Sequence, residues 1–123
     1  MLATLNAKSI RPFIGSKHYT ISREFYSDLG FEEFIISENM SSFRTGEFVF
    51  YLQDYYAKDW IENSMVFLEV DSPKKLLEDL KKLELPKKYK NVKLSEMRHN
   101  DWGNEFFLHD PSGILWHFGA FSS

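Results

Sequence analysis

The chain has 123 residues, 43% of them hydrophobic, which predicts one compact domain with its own core. A net charge of -3 and a pI near 5.8 argue against nucleic acid as a partner, and the lack of cysteine excludes disulfides and thiolate chemistry. No apolar stretch approaches a membrane span and no signal peptide is recognisable, so we expect a cytoplasmic protein without a membrane partner.

The aromatic content is unusually high. Phe, Tyr and Trp make up 17% of the chain, with twelve Phe, six Tyr and three Trp residues. A domain of this size cannot bury that many rings in one core, so the composition predicts an aromatic groove or interface.

The first half of the chain predicts one helix among extended segments. Residues 9–15 form a short strand, and Pro12 places it at a sheet edge. Apolar side chains recur at helical spacing from Tyr19 to Leu29, and Gly30 follows as a stop signal. Three further strands are predicted, with a tight turn between the last two, at residues 31–37, 42–45 and 47–52.

The second half predicts the same order after a polar and aromatic connector, residues 53–63. Residues 65–70 alternate poorly, which predicts a strand covered on both faces. Asp71, Ser72 and Pro73 supply capping residues for a helix with a leucine stripe that ends before Pro86. Three strands follow at residues 92–98, 104–109 and 114–121, the last two joined by an Asp-Pro-Ser-Gly turn.

The predicted order is therefore β-α-β-β-β twice. It indicates a single α+β domain over residues 1–123, made of two modules at about residues 8–55 and 60–121. Each module alone is a small curved sheet with one helix. Paired side by side, the modules form a cupped mixed sheet with a concave ligand site.

Two stretches resemble the vicinal oxygen chelate superfamily, which includes glyoxalases, extradiol dioxygenases and bleomycin resistance proteins. They are SREFYSDLGF at residues 22–31 and NEFFLHDPSGILWHF at residues 104–118. The longer run DWGNEFFLHDPSGILWHF is most similar to the bleomycin resistance proteins. The resemblance spans essentially the whole chain. It implies their fold and a metal-free homodimer with two drug-binding clefts between subunits, in which Trp102 is a stacking platform.

The resemblance also locates where an enzyme of this superfamily would hold a divalent metal. The ligand positions on the first, fifth and eighth strands fall near Arg11, near Met65 and on His117, and the fourth-strand position falls in residues 48–52, which hold no usual ligand type. Arginine cannot bind a cation, and a thioether is a poor ligand for these metals. The sequence therefore predicts no metal and no cofactor. A metal-dependent glyoxalase-type lyase or extradiol dioxygenase remains the alternative.

Ten residues are candidates for contact with a ligand: Trp102, Gly103, Glu105, His117, Arg11, Met40, Phe43, Tyr51, Tyr55 and Trp60. Structural roles stay open for several of them. Trp102 can be a lid over the core, and Tyr55 and Trp60 can be loop packing. At least one residue of a second group is expected in the core, namely Met40, Phe43 or Tyr51.

The polar candidates have two interpretations each. His117 alternates with Trp116 and Phe118, so it faces away from both, either into the cavity or into a buried and satisfied position. Arg11 and Glu105 can fix a polar group of the ligand or pair with each other. Glu105 and His117 can in principle form an acid/base pair, but we assign no catalytic residue.

Together these features predict a binding protein rather than an enzyme: a homodimer that sequesters a flat small molecule, either bleomycin-like or an unidentified metabolite. Residues 1–63 carry nine acidic and six basic side chains, which favours a cationic ligand. A role in antibiotic resistance follows from the resemblance, whereas a housekeeping or regulatory role needs a different ligand or partner.

Overall fold

The structure is a computed structural model that describes residues 2–122, so the two terminal residues of the predicted domain lie outside it. Its elements, in chain order, are β1 Phe13–Gly15, α1 Tyr19–Leu29, β2 Glu32–Ser37, β3 Met40–Thr45, β4 Phe48–Gln53, α2 Lys58–Glu62, β5 Met65–Glu69, α3 Pro73–Leu83, α4 Leu85–Lys88, β6 Lys93–Leu94, β7 Arg98–Asn100, β8 Gly103–His109 and β9 Leu115–Phe121. Within these residues no helix has the length and hydropathy required to cross a membrane.

The strands form two mixed sheets with matching topology. Sheet 1 has the order β1-β4-β3-β2, and sheet 2 has the order β5-β9-β8-β6, with β7 also paired to β8. In each sheet one pair of neighbouring strands is parallel, β1 with β4 in sheet 1 and β5 with β9 in sheet 2. The other pairs are antiparallel. The predicted α+β class with a repeated β-α-β-β-β order is confirmed. The module boundaries at residues 8–55 and 60–121 stay a prediction.

The two long helices begin and end where the sequence indicates. Gly30 ends α1 in the left-handed region at φ +117°, and its N–H donates to the carbonyl groups of Ser27 and Tyr26. The Ser72 side chain accepts from the N–H of Lys75 at 3.2 Å and caps α3. Local capping chemistry therefore sets these ends.

Three predictions about the second half are wrong in detail. β5 is not covered on both faces, because Val66 and Leu68 are half-buried while Met65 and Phe67 are exposed. The strand predicted at residues 92–98 is divided into β6 and β7, which pair with different parts of β8. The connector at residues 53–63 contains the short helix α2, and the segment after α3 contains the short helix α4. Both helices are too short to show a recognisable apolar period in the sequence.

The inner faces of both sheets pack into one core. Phe43 and Phe50 come from sheet 1 and Trp116 from sheet 2, and the ring centroids of Phe50 and Trp116 are 5.4 Å apart. Tyr26 of α1 lies among them, with centroids 5.7 Å from Phe43 and 5.8 Å from Trp116. Since the inner faces share a core, the other two faces cannot face each other within one chain.

A buried polar network fixes the hairpin β8–β9. Asp110 is fully buried, and its Oδ1 accepts from the N–H groups of Ser112, Gly113 and Ile114 at 2.8 to 2.9 Å. Its Oδ2 accepts from the Tyr26 hydroxyl at 2.6 Å, and that hydroxyl accepts from Trp116 Nε1 at 2.9 Å. Burial raises the pKa of Asp110, whereas these hydrogen bonds oppose the rise. The network ties the hairpin to α1.

Candidate functional site

The open face of sheet 2 carries a cluster of exposed aromatic rings, Phe67, Trp102 and Phe121. Their centroids are 5.5 to 5.9 Å apart, and the residues are 40%, 39% and 58% exposed. We call these three residues the aromatic cluster. The face exists because alternate residues of β5 and β9 point away from the core. Its rings are available to stack on a planar ligand.

Gly103 allows this cluster to form. Its φ of +153° is a conformation that side chains rarely adopt, and a Cβ there would collide with the carbonyl oxygen of Ala120. The glycine thus lets β8 approach β9 closely at the point where Trp102 enters the strand. The Trp102 carbonyl accepts from the N–H of Ser122 at 2.8 Å, which holds the start of β8 against the end of β9.

A histidine and a carboxylate lie next to the aromatic cluster. His117 Nδ1 is 2.8 Å from Glu105 Oε1, and Asn100 Nδ2 donates to Glu105 Oε2 at 3.2 Å. The His117 ring lies beside Phe67 and Phe107, with centroid distances of 6.2 and 4.9 Å. Its Nε2 is buried and has no hydrogen-bond partner among the described residues. A carboxylate oxygen can only accept, so Nδ1–H donates to Glu105.

The open face of sheet 1 carries the second group of candidates. Arg11 Nη1 donates to the Tyr51 hydroxyl at 3.0 Å, and the guanidinium lies 5.9 Å from the centroid of the Tyr51 ring. Met40 belongs to the same face, because it pairs with Gln53 two residues beyond Tyr51. A cavity of about 250 Å³ opens here, lined by Arg11, Glu32, Glu33, Phe34, Ser42, Arg44 and Val49.

The predicted candidates are thus divided between two faces. Trp102, Gly103, Glu105 and His117 are together on sheet 2, whereas Arg11, Met40 and Tyr51 are on sheet 1. The alternative ion pair between Arg11 and Glu105 is wrong within one chain, since each has another partner.

Three other candidates lie away from the centres of these faces. Phe43 is fully buried, and its ring centroid lies 5.6 Å from that of Phe50. The prediction that Phe43 contacts a ligand is therefore wrong, because it is a core residue. Tyr55 and Trp60 pack on each other at 5.9 Å beside Gly15, at the end of β1. Their position favours loop packing, the alternative that the sequence left open.

Sequence reasoning missed the exposed residues Phe34, Arg44, Phe67 and Phe121. Phe67 lies opposite His117 in the register of β5 and β9, and Phe34 lies opposite Ser42 in the register of β2 and β3. Alternation indicates that such residues share a face, but only strand pairing identifies their neighbours. The strongest available signal was the excess of aromatic residues over what one core can hold.

The residues around His117 do not fit a divalent metal. In the chain from residue 2 to residue 122, no group of three or more His, Cys, Asp or Glu side chains could hold one. Met65 pairs with Leu115 rather than with His117, and the residue opposite His117 is Phe67. A divalent metal site needs several such ligands, more than the described residues around His117 supply.

The fold matches solved structures of antibiotic-binding proteins at low sequence identity. The bleomycin-binding protein of Streptomyces verticillus, in complex with copper(II)-bleomycin, matches with a TM-score of 0.81 at 19% identity over 97% of this chain and 100% of that one. A bleomycin resistance determinant encoded on transposon Tn5 matches with a TM-score of 0.79 at 14% identity over 95% and 100%. The antibiotic-binding protein TnmS3 from Streptomyces sp. CB03234 matches with a TM-score of 0.76 at 12% identity over 98% and 100%.

Comparison at the level of sequence gives a different result. No family model matches this chain, and no curated protein sequence is significantly similar to it. The structural matches cover nearly the full length of each chain, so the agreement concerns the complete fold. The chain therefore has the glyoxalase/bleomycin resistance fold, as its sequence resemblance implied.

Proposed function

We propose that this protein is a metal-free binding protein that sequesters a flat small molecule in clefts at a homodimer interface. Each cleft would combine the open face of sheet 1 from one copy with the open face of sheet 2 from the other. The observation that carries the proposal is the aromatic cluster, which exposes three rings beside an unpartnered buried His117 nitrogen. The structural similarity to proteins that bind bleomycin and another antibiotic supports a ligand-binding role.

The division of the site supports the dimer. Arg11 and Tyr51 cannot meet Trp102 within one chain, because the inner faces of both sheets occupy the same core. Both open faces also expose large apolar side chains, with Phe34 at 71% and Met65 at 63%. Exposed apolar patches of this kind mark interaction sites in soluble proteins. A second copy related by two-fold symmetry would cover both faces and complete two equivalent clefts.

Geometry and charge indicate the kind of ligand. The aromatic cluster favours a planar molecule, because offset ring stacking contributes about 0.5–1.5 kcal/mol for each pair. A cationic ligand would find the carboxylates of Glu69 and Glu105 on the open face of sheet 2. Binding rather than catalysis is supported by Nε2 of His117, which is enclosed in the structure and offers no exposed base to a substrate. A cytoplasmic location stays a prediction of the sequence.

Isothermal titration with metal-free bleomycin tests the proposal, with sedimentation to measure the oligomeric state. We expect a dimer that binds the drug saturably and a five- to tenfold loss in Trp102→Ala, equal to about 1 kcal/mol of stacking. Trp60→Phe is the matched control and should bind normally, because Trp60 packs beside Gly15. Stoichiometric Zn²⁺ uptake that is lost in His117→Ala would contradict a metal-free site, and a monomer without drug binding would contradict the proposal as a whole.

A further inference from the structure

The cavity on the open face of sheet 1 is lined by two arginines and two glutamates. Two guanidinium groups, those of Arg11 and Arg44, line its volume of about 250 Å³. Three elements bring them together, since Arg11 precedes β1, Arg44 lies on β3 and Phe34 on β2 forms an apolar wall. The proposed function assigns no ligand contact to Arg44 or Phe34.

One of the two guanidinium groups in this cavity, that of Arg11, has no ion-pair partner among the described residues. Among residues 2–122, Arg11 has no carboxylate within ion-pair distance, and the only partner of Arg44 is Glu32, at 3.9 Å. The Arg44 and Glu32 side chains are 58% and 79% exposed, so this pair is weak. Glu33 also borders the cavity, but both of its oxygens accept from Arg23, at 2.6 and 3.2 Å.

Two acidic residues of the first half of the chain are engaged by groups outside this cavity. Glu33 is held by Arg23 of α1, and Asp28 is held by Lys88 and Tyr89. Net charge along the sequence therefore does not describe the charge that a ligand meets on this face. Among residues 2–122, the charge in this cavity that lacks an ion-pair partner is the guanidinium of Arg11.

We infer that the cavity is an anion-binding subsite for a carboxylate, sulfonate or phosphate group attached to an aromatic ring. A planar guanidinium fork matches such oxygens with two parallel hydrogen bonds, and the Ser42 hydroxyl lines the same cavity. The hydrogen bond from Arg11 to Tyr51 restrains the Arg11 side chain over the sheet, which reduces the entropy lost on binding. The exposed Phe34 ring offers a stacking surface for the attached ring.

This inference deepens the proposed function and rests on it for the identity of the cleft. The ligand of a complete cleft is then bipolar. Its anionic end lies between Arg11 and Arg44 of one copy, its planar body lies on the aromatic cluster of the other, and its N–H groups meet the carboxylates of Glu69 and Glu105. A purely cationic ligand would leave the Arg11 guanidinium without an anionic partner.

Two probes with the same ring system test the subsite, naphthalene-2-sulfonate and 2-naphthylmethylammonium, each titrated calorimetrically into the full-length protein. We expect the sulfonate to bind about tenfold or more tightly than the ammonium, since charge-assisted hydrogen bonds discriminate by about that factor. Arg44→Gln and Arg11→Gln should each weaken sulfonate binding about tenfold and leave the ammonium unchanged. Arg98→Gln is the matched control, because Arg98 stacks over Phe107 on sheet 2, with a centroid distance of 5.5 Å.

Equal affinity for the two probes, absence of sulfonate binding, or sulfonate binding that survives both arginine substitutions would overturn the inference. Its failure is distinguishable from failure of the proposed function. If the dimer still binds bleomycin through Trp102 while the sulfonate result is negative, only the anion subsite is wrong. If the sulfonate binds through Arg44 to a chain that neither dimerises nor binds bleomycin, the subsite stands and the shared cleft is wrong.

Discussion

Removal of one hydroxyl group, in Tyr26→Phe, should destabilise the protein strongly although no cavity is created. Tyr26 is fully buried, and its hydroxyl donates to Asp110 Oδ2 at 2.6 Å and accepts from Trp116 Nε1 at 2.9 Å. Phenylalanine keeps the ring contacts with Phe43 and Phe50. The substitution therefore isolates the energy of leaving one buried acceptor and one buried donor without partners.

Each such group costs about 1–3 kcal/mol, so we expect a loss of about 2–6 kcal/mol in the free energy of unfolding. With an unfolding entropy of about 2 cal/mol/K for each residue, the midpoint of thermal unfolding should fall by about 8–24 °C. Urea unfolding followed by far-ultraviolet circular dichroism measures the change without relying on Trp116 fluorescence. Tyr51→Phe is the control, because its hydroxyl meets only the exposed Arg11, and should cost under about 0.5 kcal/mol. Equal, small losses in both variants would refute the network as a source of stability.

Two further predictions concern the hairpin and the pH dependence. Gly103→Ala should lower the free energy of unfolding, measured with a chemical denaturant, by more than about 2 kcal/mol, because of the φ at this position and the collision with Ala120. Gly46→Ala is the control: its φ is +59° and no described atom lies within 4 Å, so the loss should be about 1 kcal/mol. Equal losses in the two variants would contradict this prediction. The hydrogen bonds from Arg23 lower the pKa of Glu33 below its ordinary value of 4.5, so its stabilising contribution is complete above pH 4.5 and is lost as the pH falls through the lower folded value. The stability difference between wild type and Glu33→Gln should therefore shrink on acidification below pH 4.5, and a difference that stays constant would refute the assignment.

The parts of the fold that could be predicted are those fixed by local chemistry. Gly30 and the Ser72-Pro73 pair set helix boundaries through their own backbone preferences, whatever packs nearby. The exposed side of β5 could not be predicted, because it depends on which strands and helices cover Met65 and Phe67. The break between β6 and β7 likewise arises from pairing with β8, which short-range patterns do not record.

The site was predictable to the same extent. Alternation along β9 placed His117 on the side opposite Trp116, and the structure confirms this orientation. The same argument could not show that Phe43 lies in the core and Tyr51 on the open face. A shift of one residue in the pairing of β3 and β4 would exchange the two faces, and the sequence does not fix that register. Arg44 was missed because its importance comes from its nearness to Arg11, 33 positions earlier in the chain.

The central claim is that each cleft takes one face from each of two copies, and mixing two defective variants tests it most directly. Tyr51→Ala damages the open face of sheet 1, and Trp102→Ala damages that of sheet 2, so neither homodimer has an intact cleft. After subunit exchange at equal concentrations, half of the dimers are mixed, and each mixed dimer regains one undamaged cleft of two. Calorimetric titration with metal-free bleomycin should then recover about a quarter of the high-affinity sites of wild type. Recovery of no sites would contradict the account, because both halves of the cleft would then belong to the same chain.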